Sequence, residues 1–289
     1  MLFNHLAIVG VGLIGGSFAM AVRRAGLADR ITGWGGKRSL AIALQQGVID
    51  GVEDCFDKGE VCTADLVYLA APVNGILDFL RTRGNLLKSG AIVTDAGSTK
   101  REICRTADES LPRSVHFVGG HPMAGSHRVG VEVARPDLFN QAAYALVKAS
   151  GESREFSAIV EVVGAIGARP VITTAEHHDR AIARISHLPQ MLSTALALAT
   201  AEAVDPESTQ LSGRGLSDMT RLAQSAWSIW NDICDTNADE IEAALSDAVR
   251  KIELLRMAVA SGDSATLAEA FQKANAFSRQ LRSANANDP

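Results

Sequence analysis

Over the first 174 residues of the chain, short apolar runs alternate with stretches of helical periodicity, and beyond that point only the helical periodicity continues. The apolar runs fall at residues 6–9, 30–34, 66–71, 91–94, 115–118, 143–148 and 170–173. Each is bounded by glycine, proline or polar residues, which predicts buried strands. Between them, helical patterns run to Ala25, from Ser39 to Gln46, to Arg83, to Ala107 and from Arg154 to Ile166. Strands alternating with helices predict a doubly wound α/β sheet with right-handed crossovers. From residue 175 onward Ala, Leu and Glu recur with helical spacing almost to the end. The chain therefore reads as a Rossmann-type domain over 1–174, followed by an all-helical domain over 175–289. Pro189 falls inside the first long helix of that domain, residues 175–203, where it removes a backbone bond and should bend the axis.

The first strand runs into Gly10-Val11-Gly12-Leu13-Ile14-Gly15-Gly16-Ser17. Strand, glycine turn and helix in this order make a dinucleotide site. Gly10 allows the tight turn, Gly12 lets backbone approach a pyrophosphate, and Gly15 lets helix pack on strand, with Leu13 and Ile14 between them. The helix N-terminus then offers unpaired N–H groups to the phosphates. After the second strand, where an acid would hold a free ribose 2′-hydroxyl, the chain has Gly35 and Gly36 and then Lys37, Arg38 and Ser39. Two cations and a hydroxyl suit a 2′-phosphate, so the expected cofactor is NADP, with NAD the alternative. The turns at Ala71-Pro72-Val73 and at residues 95–100 lie at carboxyl ends of strands, where ligands bind in such sheets. Ser98, in the second, is equally suited to capping the next helix.

The formal net charge of −5 over 289 residues, with no strongly basic half, disfavours nucleic acid and membrane surfaces as partners and favours small-molecule chemistry. The four cysteines form no CxxC pair and read as reduced thiols of a cytoplasmic protein. No stretch reaches the roughly 18 apolar residues of a membrane span.

His121 ends an apolar run and sits in Gly119-Gly120-His121-Pro122-Met123-Ala124-Gly125-Ser126, where a strand should pass into a tight loop. An imidazole there can carry or release a proton near neutral pH. In the helical part, His187 and Gln190 are three apart at the Pro189 bend and share a face, as do Asp218 and Arg221, and Trp227 and Trp230. An arginine with an indole makes a carboxylate site with an apolar wall. The run Glu176-His177-His178-Asp179 looks like a metal cluster, but neighbours on a helix point to different faces, so it is expected to be an acidic helix start and no metal is expected.

Taken in order, the glycine motif, Asp95-Ala96-Gly97-Ser98-Thr99-Lys100, the His121 loop, Ile185-Ser186-His187-Leu188-Pro189 and Gly215-Leu216-Ser217-Asp218-Met219-Thr220-Arg221 resemble the prephenate and arogenate dehydrogenase family of tyrosine biosynthesis. The resemblance spans nearly the whole chain. It implies a nicotinamide cofactor on the first domain and a homodimer through the second. It also implies that His121 bonds the substrate's ring hydroxyl with Ser98 assisting, that Arg221 binds the substrate carboxylate, and that Ser126, His187, Gln190 and Trp230 contact substrate. Two positions depart from the family pattern. His127 stands where many members have a glutamate, and Gln190 where prephenate users commonly have a second histidine, which tips the expected substrate toward arogenate. A β-hydroxyacid dehydrogenase or imine reductase shares the two-domain plan but should lack the His121 loop, and a nucleotide-sensing regulator would keep only the cofactor site.

Overall fold

The computed structural model describes the chain except residues 1, 126–127, 148–152 and 287–289, and except the side chains of residues 206 and 284–286. Eight strands are present among the described residues: β1 (Phe3–Val9), β2 (Ala28–Trp34), β3 (Gly51–Val52), β4 (Leu66–Leu69), β5 (Ile92–Asp95), β6 (His116–Pro122), β7 (Ala143–Val147) and β8 (Arg169–Thr173). They form one sheet in the order β3-β2-β1-β4-β5-β6-β7-β8, with every pair parallel except β6–β7. Helices α1 (Leu13–Arg24), α2 (Lys37–Gln45), α3 (Cys55–Lys58), α4 (Val73–Arg83), α5 (Arg101–Ser110) and α6 (Arg154–Ala165) provide the crossovers and cover. The central strands alternate between two apolar layers. Leu6 and Ile8 of β1 and Leu66 and Tyr68 of β4 face the layer built with α1, α2 and α6, while Ala7, Val9, Val67 and Leu69 face the layer built with α3, α4 and α5. Strands covered on both faces need continuous apolar runs, which is why these were legible in the sequence.

The rest is helical: α7 (Ala175–Ile182), α8 (Leu188–Ala203), α9 (Pro206–Thr209), α10 (Arg214–Thr220), α11 (Trp227–Thr236), α12 (Ala238–Ser261) and α13 (Ser264–Ala286). The expected α/β domain followed by helices is what the chain forms. Packing divides it into residues 1–182 with 225–237, and 183–224 with 238–289. This grouping places α7 and α11 with the sheet, whereas hydrophobic periodicity alone puts the division at 174/175. Asp232 is one physical reason for α11: its carboxylate accepts from the backbone N–H of Asn74 at 2.9 Å and from the Asn74 amide at 2.7 Å, and so joins α11 to the start of α4.

Pro189 acts on the helix differently from a simple bend. Lacking an N–H to donate to Ile185, it is preceded by a π-helical turn over Ala183–His187, and α8 starts just ahead of it.

Candidate active site

Gly10 adopts φ +92°, and a Cβ on it would lie 2.7 Å from the Ala70 carbonyl oxygen, so the turns after β1 and β4 touch there. A Cβ on Gly15 would lie 2.2 Å from the Gly10 carbonyl oxygen, which makes glycine obligatory for α1 to pack on β1. At Gly12 a Cβ would meet nothing within 4 Å, so the ground over the first turn of α1 is open. That turn contains no acid and has no side-chain cap, leaving its N–H groups and dipole directed at an incoming anion. These features fit the pyrophosphate of a nicotinamide dinucleotide. Leu13 and Ile14 are half-buried in the same turn, and Ala71 and Pro72 follow β4 beside it.

Lys37, Arg38 and Ser39 form the first turn of α2, which begins two residues before the expected Ser39 with Gly36 as its cap. The Arg38 side chain is 88% exposed and lies 3.6 Å from Glu132.

His121 is held by its neighbours. Asp95, at the end of β5, accepts from the backbone N–H of Gly97 at 2.8 Å and of Gly120 at 2.9 Å. The fully buried Lys100 pairs with Asp95 and donates to the Gly120 carbonyl at 2.7 Å. An ion pair in this setting is costly to break, about 3–5 kcal/mol if one partner is removed. The imidazole itself is fixed from α7: His121 Nδ1 lies 3.0 Å from His178 Nε2, and His178 Nδ1 lies 2.7 Å from Asp179 Oδ1. His178 is 3% exposed and Asp179 is 0% exposed.

Asp179 does a second job. Its carboxylate accepts from the backbone N–H groups of Lys100 at 2.7 Å and Arg101 at 2.9 Å, capping α5. Burial alone would push its pKa up. The bonds from His178, Arg101 and Lys100 outweigh that and hold the carboxyl below its ordinary value. An ionised Asp179 only accepts, so a neutral His178 donates from Nδ1 and accepts at Nε2. His121 then donates from Nδ1, which makes its Nε2 the basic atom.

This arrangement corrects two expectations. Ser98 does not cap α5, which starts at Arg101 and takes its cap from Asp179, and Ser98 instead sits half-buried in the turn between β5 and α5. His178 and Asp179, expected to point apart at an acidic helix start, are bonded to each other and buried. The signal for them was present in the sequence only as a histidine followed by an acid near a helix start, which many surface helices share.

The remaining expected substrate residues are distributed between the two units. Trp230, half-buried, lies on α11 in the unit that contains His121. His187 and Gln190 are both buried in the other unit, with Gln190 Nε2 3.3 Å from Thr194 Oγ1. Arg221 opens the turn after α10, and that turn is tied to α8 by the Ala223 N–H donating to Ser193 Oγ at 3.1 Å. Ser126 and His127 lie outside the described residues.

An open anion site at a glycine turn, and an oriented histidine at the end of β6, define a dehydrogenase that uses a nicotinamide cofactor. Family models for the nucleotide-binding domain and for the dimerization domain of prephenate dehydrogenase match residues 18–172 and 174–273, and the chain belongs to the prephenate dehydrogenase family. It is 34% identical over 281 residues to the prephenate dehydrogenase of Bacillus subtilis, covering 95% of this chain and 75% of that protein. Among solved structures, prephenate dehydrogenase from A. aeolicus in complex with hydroxyphenyl propionate and NAD+ superposes with a TM-score of 0.90 at 27% identity, covering 97% of this chain and 99% of that one. Arogenate dehydrogenase from Synechocystis superposes with a TM-score of 0.82 at 27% identity, covering 96% and 99%.

Proposed function

We propose that the protein is an NADP-preferring cytoplasmic dehydrogenase that oxidatively decarboxylates arogenate, in preference to prephenate, to give tyrosine, and that it works as a homodimer through its helical part. The chain of contacts from Asp179 through His178 to His121 carries the reading, because it makes His121 Nε2 a base of fixed orientation. When bound, the nicotinamide supplies the hydride acceptor. As hydride leaves the carbinol carbon, His121 Nε2 takes the hydroxyl proton, and Asp179 stabilises the resulting imidazolium through His178. Breaking of the ring–carboxylate bond releases CO2 and leaves its electron pair in the ring, which becomes aromatic. His121 then returns its proton to the phenol oxygen. Ser98 assists at the hydroxyl, Arg221 binds the side-chain carboxylate, and Ser126, His187 and Trp230 are further substrate-contacting residues.

The substrate preference rests on Gln190. One N–H of its Nε2 goes to Thr194, and its amide oxygen offers an acceptor to ligand. That oxygen can accept from the ammonium of arogenate, whereas a histidine at this position would donate to the keto group of prephenate and, when protonated, repel an ammonium. One charge-assisted bond of about 1.5–3 kcal/mol amounts to a clear preference. The ratio of kcat/KM for the two substrates should favour arogenate in the wild type and move toward prephenate in Gln190→His. A wild type that prefers prephenate, or an unchanged ratio, places selection elsewhere. Dimerisation is supported by the apolar residues that α12 and α13 expose, among them Met257, Val259, Phe271 and Phe277.

A further inference from the structure

We propose a second site, unconnected with dehydrogenation: a structural site for a thiophilic divalent cation such as zinc, formed by Cys55, Cys62 and Glu53. The two thiol sulfurs and a Glu53 carboxylate oxygen lie within 4.8 Å of one another. Glu53 follows β3, Cys55 opens α3 two residues on, and Cys62 forms a parallel bridge with Leu87 beyond that helix. Around a tetrahedral zinc, with Zn–S about 2.3 Å and Zn–O about 2.1 Å, such ligand atoms would stand about 3.5–3.8 Å apart. Closing the cluster from the 4.8 Å bound therefore needs a contraction of about 1.3 Å at most, with water as the fourth ligand.

The surrounding groups prepare the carboxylate. Thr32 Oγ1 donates to Glu53 Oε2 at 3.0 Å and receives His5 Nε2 at 2.8 Å, while Thr63 Oγ1 lies 3.4 Å from His5 Nδ1. This outer ring of threonine and histidine fixes the carboxylate as second-sphere groups do at metal centres. Binding converts two thiols and one divalent cation into two metal thiolates and releases two protons. The pair of sulfurs favours zinc or cadmium over magnesium or calcium. The cluster hangs on β1, β2 and β3, and in the sheet order β1, β4 and β5 separate β2 from His121 on β6. Its role is to pin the short edge around β3 and α3, which two strand residues hold poorly.

The test is titration of chelator-stripped protein with Zn2+ and with Cd2+. The expected result is one ion retained per chain, an ultraviolet thiolate-to-cadmium absorption band, protection of two thiols from alkylation, and a melting temperature higher by on the order of 5–10 °C at about a hundredfold excess over Kd. Cys55→Ser and Cys62→Ser should each abolish the band. Should either fail to fold, Glu53→Gln keeps both thiols and should weaken binding at least about tenfold. Dehydrogenase turnover should be the same in Glu53→Gln. Failure to retain metal, retention unchanged in the double cysteine variant, or formation of a Cys55–Cys62 disulfide that leaves no metal bound would overturn the proposal.

Discussion

A histidine at the end of a strand can turn its ring in several directions, and His121 is restrained because His178 and Asp179 meet it from α7. His121 was legible from its glycine-flanked loop. Its two supporting residues were not, since helical periodicity places neighbours on different faces and says nothing about a carboxylate that caps another helix. Asp179→Asn should lower kcat about 10²–10⁴-fold by allowing the wrong His178 tautomer. It should also destabilise the fold by about 2–4 kcal/mol at neutral pH. The folded pKa of Asp179 lies below its ordinary value of 3.8, so its ionised form stabilises the fold fully above that value and progressively less as pH falls through the folded pKa. Denaturant melts of both proteins should therefore converge in strong acid, and a gap independent of pH would mean that the charge of Asp179 contributes nothing. Arg221→Ala should raise the substrate KM by roughly tenfold to a hundredfold with little change in kcat, as expected for loss of a charge-assisted bond to a carboxylate. An unchanged KM with a lower melting temperature would make Arg221 a structural residue instead.

At the scale of elements, local sequence gave strand and helix identity but not always the details at their ends. The two-residue β3 has no periodicity to detect, and α2 starts at Lys37 because Gly36 serves as its cap. The π-helical turn before Pro189 is a consequence of the missing proline N–H that a straight reading of helical spacing cannot locate. The placement of Lys37, Arg38 and Ser39 in the first turn of α2 sharpens the cofactor expectation, because the helix N-terminus adds its own N–H groups to two cations where a 2′-phosphate would lie. Arg38→Ala should reduce the NADP-over-NAD ratio of kcat/KM by about tenfold or more, a lost phosphate contact costing about 1.5–3 kcal/mol. Equal use of both cofactors in the wild type, unaltered in the variant, would contradict this.

For the whole molecule, the doubly wound sheet was legible because its central strands are covered on both faces and are accordingly apolar. The attachment of α11 to the start of α4 was not, since the bonds from Asp232 to Asn74 join residues 158 positions apart. The account as a whole depends on one proton transfer in a chain assembled from β5, β6, α5 and α7. It is tested most directly by the pH dependence of kcat/KM for cofactor reduction with arogenate, in the wild type and in His121→Asn. The wild type should lose activity as acid protonates its imidazole base, and His121→Asn should turn over about 10²–10⁴-fold more slowly with that step absent and cofactor affinity nearly unchanged. A His121→Asn enzyme that keeps the wild-type imidazole step would show that another group is the base.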